Sequence, residues 1–392
     1  MQRRSILLLT NTYPDFDSSN RGIFVKEMTA FLQKAGYTIS VVTPRIFKGS
    51  RYFENQNGIR VYRFPFFAGN KLLIEYKTIP YFKMILYYLS GLLFTISVLV
   101  KQNCHLIHTH WAIPTGLIGI MASTVLRIPH LVTIHGSDFR LATERSTFLK
   151  RIFLYVCKRA NHIHCVSEVM RKGIERLGVQ GEKISVFPMG VDETFLEVGR
   201  NRKRAVRSHP STVISNRNLL PIYNVALLIR CIPRVLEEEP STRFLIAGDG
   251  TEKDDLERHA KEVKVEQSVQ FLGKVPHQAM PHLLAQADIY VSTSLSDGTS
   301  VSLLEAMAAG AFPVITDIPS NVEWIVDGRN GFLVPTHDEG VFAKRIIGAI
   351  RDVELLEKSR RENLSIIEER ATWPATMDRV KEIYERFIPS EN

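Results

Sequence analysis

Short apolar runs alternating with helix-spaced stretches, twice over, constrain this chain more than any other feature. In the first half the runs are Ser5–Thr10, Thr38–Thr43, Leu106–Thr109, His130–Ile134, His162–Val166 and Ile184–Phe187. Helical spacing fills intervals such as Phe24–Ala35 and Thr147–Ala160. Helices between successive strands require a parallel sheet covered on both faces. The pattern stops at residues 199–211, a basic segment with no apolar period. It restarts at Thr212–Ser215, Arg243–Ala247, Val269–Leu272, Ile289–Ser292 and Phe312–Thr316. The expected architecture is α/β, with two doubly wound domains facing a cleft. They would comprise residues 1–198, a linker 199–211, residues 212–373, and a terminal helix 374–392 able to cross back to the first domain. Open sheets of this kind bind ligands at the carboxyl ends of their strands.

Charge divides in the same way. Positions 1–200 hold 26 basic and 13 acidic residues, a balance of +13, whereas positions 201–392 hold 24 and 28, a balance of −4. One half therefore attracts anions and the other does not. Cys104, Cys157, Cys165 and Cys231 form no C-x-x-C pair, which argues against a disulfide framework or a structural zinc site. Arg3 and Arg4 precede Ile6–Leu9, but this apolar run is too short for a signal peptide and reads as a buried first strand. The expected location is cytoplasmic, with room for peripheral attachment to the cytoplasmic membrane face. Met84–Val100 is uncharged, flanked by Lys83 and Lys101, and interrupted by Ser90, Gly91, Thr95 and Ser97. It falls short of a comfortable span and reads as a buried or half-buried helix of a soluble fold, with an interfacial helix or a span as the alternatives. Arg60, Arg63, Lys71 and Lys77 nearby favour contact with an anionic membrane surface over insertion.

Ser296–Gly310 carries the most chemistry. Thr299 or Ser300 can cap a helix that ends near Ala309, with Gly310 as its stop. A helix start offers backbone N–H groups, here at Gly298, Thr299, Ser300 and Val301, and a positive dipole end suited to a diphosphate. Glu305 falls inside the helix, where it can approach a ribose, and Asp297 stands in the loop before the cap.

Asp297, seven residues, Glu305, then Ala306-Met307-Ala308-Ala309-Gly310 and the apolar Phe312–Ile315 resemble the signature of the retaining glycosyltransferases of family 4 (glycosyl transferases group 1). Other stretches match in order along nearly the whole chain. They include Thr10–Pro14 with Arg21–Phe24, Ile107–Trp111, Val132–Asp138, Val186–Asp192, Ala247–Gly250, Phe271–Gly273 and Glu323 with Asp327-Gly328. The resemblance implies the GT-B arrangement of two Rossmann-like domains and a nucleotide-diphosphate-sugar donor. It places Glu305 on the nucleotide ribose and Asp297, one methylene shorter than the usual Glu, on the donor sugar. Gly22 would let backbone approach the donor phosphates, and Gly248 would lie on the donor side. Arg217 would grip the diphosphate, for which a bidentate guanidinium is well suited. Tyr223 stands where relatives commonly have a lysine and offers a hydrogen bond but no charge.

His135 ends an apolar strand before Gly136 and is a candidate catalytic residue, with His110 and Asp138 as candidates on the acceptor side. His108 and His110 alternate with Thr109, so they share a face of their strand; the alternative is a core histidine beside a surface one. No set of metal ligands is apparent, and neither metal nor cofactor is expected. The implied activity is transfer of a sugar, with retention, to an acceptor hydroxyl. The first domain's charge and apolar stretch suit a lipid-linked saccharide acceptor, as in bacterial polysaccharide or glycolipid assembly. The alternatives are a nucleotide-sugar epimerase of the same architecture and a non-catalytic partner subunit, the latter suggested by Met189, Tyr223 and Asp297 at family positions. No G-x-G-x-x-G follows the first strand, which argues against a dinucleotide enzyme. No recognition motif supports nucleic acid as a partner.

Overall fold

The computed structural model describes residues 4–16, 21–66, 69–70, 81–202 and 210–388. Arg3, Lys71, Lys77, residues 203–209 of the basic segment and residues 389–392 lie outside them. The chain forms two compact units, one of residues 1–188 with 373–392 and one of residues 189–372.

The first unit is built on an eight-stranded sheet. Its strands are β1 (Ser5–Leu9), β2 (Thr38–Pro44), β3 (Phe53–Gln56), β4 (Ile59–Phe64), β5 (Leu106–His110), β6 (His130–Ile134), β7 (His162–Cys165) and β8 (Ile184–Val186). They lie in the order β3-β4-β2-β1-β5-β6-β7-β8, parallel except for β3. Every residue of β1, β5 and β6 is buried, which is why these strands read as continuous apolar runs. The β3–β4 hairpin is absent from the sequence expectation. Its signal is the pair Asn57-Gly58, with φ of 52° and 90°, the left-handed conformation a type I′ turn requires.

Helix Tyr81–Lys101 packs one face on this unit, burying Tyr87, Thr95, Val98 and Leu99. Gly91 lets it approach the neighbouring helix, since a Cβ there would lie 2.7 Å from Ile118 Cδ1. Tyr87 donates to Asn11 Oδ1 (3.1 Å) and Ser90 to the Pro65 carbonyl (2.8 Å). By length and composition, residues Phe82–Lys101 form the one helix among the described residues able to cross a membrane.

The second unit has a wholly parallel sheet of β9 (Thr212–Ser215), β10 (Arg243–Ala247), β11 (Val269–Gly273), β12 (Ile289–Ser292), β13 (Phe312–Thr316) and β14 (Phe332–Val334). The order is β11-β10-β9-β12-β13-β14. This unit begins earlier than the boundary at 198 expected from the linker. Helix Glu193–Asn201, capped by the Asp192 side chain, places Phe195 and Leu196 in a core with Leu303 and Met307. At the other end of the chain, helix Trp373–Glu385 belongs to the first unit. Trp373 stacks on Phe31 (centroids 5.6 Å apart) and donates to Glu27 Oε2 (3.0 Å).

Gly199 sets the fit of the Glu193–Asn201 helix, because a Cβ there would lie 1.9 Å from the Ala308 carbonyl oxygen. Backbone cannot yield as a side-chain tip does, so Gly199→Ala should cost about 1–3 kcal/mol of stability. Urea unfolding at wild-type midpoint would refute this packing account.

Candidate active site

In each unit the strand order reverses beside its first strand, between β1 and β5 and between β9 and β12. Loops leaving the carboxyl ends of strands at such a reversal run apart and leave a crevice. In the second unit the loop after β9 carries Arg217 and the loop after β12 carries Asp297. Strand adjacency therefore brings together residues 80 positions apart.

Arg217 is buried, at 6% exposure. Its Nη2 donates to Asp297 Oδ2 in an ion pair, and its Nη1 donates to Ser300 Oγ at 2.6 Å. Burial alone would lower the guanidinium pKa, but Asp297, with Tyr290 and Tyr223, reverses this and raises it, so the charge is retained. The Tyr223 ring lies 4.3 Å from the guanidinium carbon. Tyr223 thus meets Arg217 through its ring, in a cation–π contact. Arg217 Nε is buried without a hydrogen-bond partner among the described residues. An anionic oxygen would satisfy that orphaned donor.

Behind Arg217 the glycines have a steric task. A Cβ on Gly248 would lie 2.1 Å from the Arg217 carbonyl oxygen, and one on Gly250 would lie 2.2 Å from that of Leu219. Leu219 N–H donates to the Asp249 carbonyl and Glu252 N–H to the Leu219 carbonyl, both at 3.0 Å. Gly248, expected on the donor side, is here a brace for the loop that carries Arg217.

The helix after Asp297 runs Val301–Ala308, with Ser300 as its cap, accepting from Leu303 N–H. Ser300 Oγ thereby joins the helix start to Arg217. Ser300 takes the Leu303 N–H, so the first-turn N–H groups of Val301 and Ser302 are the ones able to meet an anion, beside the buried Thr299. Gly298 differs from expectation: its N–H already donates to Asp297 Oδ1 at 2.8 Å, a local turn that orients the carboxylate. Glu305 is buried and pairs through Oε1 with His277 Nε2 at 3.1 Å. His277 went unnoticed in the sequence; its one signal is a histidine just past β11, at the carboxyl end of a parallel strand.

In the first unit, Gly22 begins helix Ile23–Lys34 with φ 64°, and a Cβ there would lie 2.4 Å from the Thr12 carbonyl oxygen. The close approach that needs a glycine is thus to the loop after β1. His110 Nδ1 and His135 Nε2 share a hydrogen bond at 3.0 Å, while His110 Nε2 is buried without a partner among the described residues. His108 bonds to Tyr384 (2.6 Å) and Thr133 (2.7 Å), and Thr133 in turn bonds to His164 (3.1 Å). His108 and His110 are stacked and both buried, so neither is a surface residue. Burial, then the neighbouring histidines, hold His108 and His110 well below the usual imidazole range. Burial takes His130 and His164 down to about 3.

Asp138, expected on the acceptor side, is a clamp. Its oxygens accept from the backbone N–H groups of Ala112 (2.7 Å), His135 (3.2 Å) and Gly136 (3.1 Å). Burial pushes its carboxyl up to about 6, against the pull of those hydrogen bonds. The carboxylate ties the loop after β5 to the loop after β6 and so positions His135.

Comparison with known proteins agrees with this layout. Residues 22–195 match the family model of Glycosyltransferase Family 4, and residues 200–364 match that of Glycosyl transferases group 1. The chain belongs to this glycosyltransferase family and has the GT-B fold. It is 25% identical over 300 residues to the gpi3 subunit of phosphatidylinositol N-acetylglucosaminyltransferase from Schizosaccharomyces pombe, covering 76% of this chain but 64% of that one. It is 26% identical over 337 residues to the glycosyltransferase TuaC of Bacillus subtilis, named for teichuronic acid biosynthesis, covering 80% and 81%. Among solved structures, sucrose-phosphate synthase from Thermosynechococcus elongatus superposes with a TM-score of 0.79 at 16% identity, covering 98% and 99% of the two chains. HepE from Anabaena, solved with UDP and glucose, gives 0.76 at 18%, covering 98% and 100%. These structural likenesses establish the fold.

The buried histidines have a consequence for stability. Their folded-state pKa values lie below the unfolded value near 6.5, so the stability they confer is present above pH 6.5 and lost as pH falls toward 3. Asp138 runs the other way, taking up a proton in the folded state between its unfolded pKa of 3.8 and about 6, and offsets one histidine there. The unfolding free energy should therefore fall with acidification. His130→Gln should reduce that slope by about 1.4 kcal/mol per pH unit. An unchanged slope in urea titrations between pH 7 and 4 would count against the neutral, buried state of His130.

Proposed function

We propose that this chain is a retaining transferase moving a sugar from a nucleotide-diphosphate donor to the hydroxyl of a lipid-linked saccharide. The observation that carries the reading is the buried Arg217, with an unpartnered Nε and a Ser300 contact to a helix start, at the strand-order reversal of the second unit. When the bond from the sugar anomeric carbon to the phosphate oxygen breaks, negative charge grows on the leaving diphosphate. Arg217 and the N–H groups of Val301 and Ser302 stabilise that charge. The acceptor oxygen bonds to the same face of the anomeric carbon, and its proton passes to the leaving phosphate oxygen. This path needs neither an enzyme nucleophile nor a metal or cofactor. Asp297 orients Arg217 and faces the donor sugar, Glu305 with His277 receives the ribose, and His135, held by His110 and Asp138, is the neutral hydrogen-bonding group of the first unit.

The relatives support this choice of substrates. HepE is solved in complex with UDP and glucose, the gpi3 subunit is named for phosphatidylinositol N-acetylglucosaminyl transfer, and TuaC for teichuronic acid biosynthesis. The acceptor belongs to the positively charged first half and the donor to the second. The catalytic setting is cytoplasmic, at the membrane face.

A thermal-shift panel of UDP, GDP and ADP should show one that stabilises the protein, by about 2.7 kcal/mol at a hundred-fold excess over its Kd. Arg217→Ala should abolish that shift. With labelled nucleotide sugars and membrane extract, Arg217→Ala should lower turnover by about 10²–10³-fold. Asp297→Ala and Glu305→Ala, folded by circular dichroism, should each impair it. Wild-type turnover in both would overturn the site assignment, and an epimerised sugar as sole product would overturn transfer itself.

A further inference from the structure

Three helices of the first unit, Tyr81–Lys101, Leu117–Leu126 and Thr147–Arg159, pack side by side, the middle one touching both others. Their inner sides fill the core: Tyr87, Val98 and Leu99 from the first helix and Ile118 and Ala122 from the second pack with Leu7, Leu9 and Ile107 of the sheet. The third buries Phe153, Val156 and Cys157.

Their outer sides are not those of an ordinary soluble surface. On the first helix Phe82, Ile85, Leu89, Leu93 and Val100 are between 58% and 90% exposed. Most follow one another at intervals of three or four, which places them along one outward stripe. Met121 and Val125 expose further apolar surface on the second helix, and Phe148 and Tyr155 on the third. Exposed apolar patches of this extent mark interaction sites.

The charges beside the patch identify the partner. The chain has 41 acidic residues, yet none falls within these three helices. Lys101, Arg151, Lys158 and Arg159 on the outer two helices are exposed, as is Arg127 just past the middle one. A protein partner would leave room for charges of both signs around an apolar centre. Cations alone, beside long apolar side chains at one surface, match the lipid interface, where apolar groups enter the acyl boundary and Lys and Arg meet headgroup phosphates. The packing of the first helix fits lying on such a surface rather than crossing it. Crossing would strip Tyr87 from Asn11, Ser90 from the Pro65 carbonyl, and Gly91 from Ile118.

We propose that the outer face of these three helices is a docking surface for anionic phospholipid, with Leu89 and Leu93 inserting and Arg151, Lys158 and Arg159 contacting phosphates. It deepens the proposed function by placing the first unit at the membrane where a lipid-linked acceptor resides; the docking itself requires neither donor nor acceptor.

The test is flotation of the full chain with vesicles of phosphatidylcholine alone and of phosphatidylcholine mixed with phosphatidylglycerol. Wild type should bind the mixed vesicles and bind pure phosphatidylcholine much more weakly. Leu89→Gln with Leu93→Gln should lose binding to both. Arg151→Gln with Lys158→Gln and Arg159→Gln should weaken binding to mixed vesicles by about five-fold per charge removed, with little change on phosphatidylcholine. All substituted side chains are exposed except in their stems, so melting temperature and the nucleotide-induced thermal shift should match wild type. The docking surface is overturned if wild type binds neither vesicle, or if the leucine variant binds as wild type does. Concentration-dependent dimerisation lost in the leucine variant, without vesicle binding, would instead identify a second copy as the occupant and equally overturn it. Failure of the nucleotide panel, with vesicle binding intact, would count against the proposed transferase alone.

Discussion

A guanidinium buried as deeply as Arg217 persists only where another charge and several hydrogen bonds repay its lost hydration. Asp297 supplies the charge, Ser300 a hydroxyl and Tyr223 a ring face. Much of the second unit's organisation serves that requirement. Adjacent strands β9 and β12 place the two loops side by side, and Gly248 and Gly250 let the loop after β10 press against the backbone carrying Arg217. Ser300 also caps the Val301–Ala308 helix, so the cation and the helix dipole are fixed by one hydroxyl. Removing Asp297 would leave a buried unpaired charge, a change that costs about 3–5 kcal/mol in such settings. The residue assigned to the donor sugar is therefore also a positioning residue, and its substitution acts on stability and chemistry together.

The first unit solves a related problem with the opposite sign. Asp138 is buried with no cation bonded to it among the described residues, and three backbone N–H groups take its oxygens. Those donors belong to the loops after β5 and β6, so one carboxyl group holds both in place. His135 is oriented from two sides, by its own backbone contact to Asp138 and by its ring contact to His110. Deep burial keeps the adjoining histidines neutral. Six imidazoles, those of His108, His110, His130, His135, His162 and His164, could otherwise add charge to a unit that is already strongly basic.

Much of this was legible because parallel sheets buried on both faces leave continuous apolar runs, as at Leu7–Leu9 and Val314–Ile315. The β3–β4 hairpin was missed because half-exposed strands such as Ile59–Phe64 alternate rather than run apolar, although Asn57-Gly58 announces the turn. Spacing placed Asp297 and Glu305 on one loop–helix segment. It could not show that Asp297 turns to Arg217, or that His277 meets Glu305, since such pairings depend on strand order. Gly248 and Asp138 illustrate the same limit. A glycine or a carboxylate near a strand end suggests a ligand, whereas its partner here is the protein's own backbone.

Dividing the chain where it folds, rather than at its midpoint, also changes what its charge means. Residues 1–188 with 373–392 contain 28 basic and 14 acidic residues, and residues 189–372 contain 22 and 27. The contrast survives the transfer of the acidic Glu193–Asn201 helix to the second unit and of the terminal helix to the first. It is therefore a property of the folded units and not of an arbitrary cut. Nor is the positive charge spread evenly, because the terminal helix and the β3–β4 hairpin bring acidic residues that three helices of the same unit lack. Long-range attraction follows the unit's whole charge, but contact follows what lies within a Debye length of the surface. An acid-free layer beside exposed leucines concentrates both effects on one face, and this placement, more than the total, is what an anionic surface would sense.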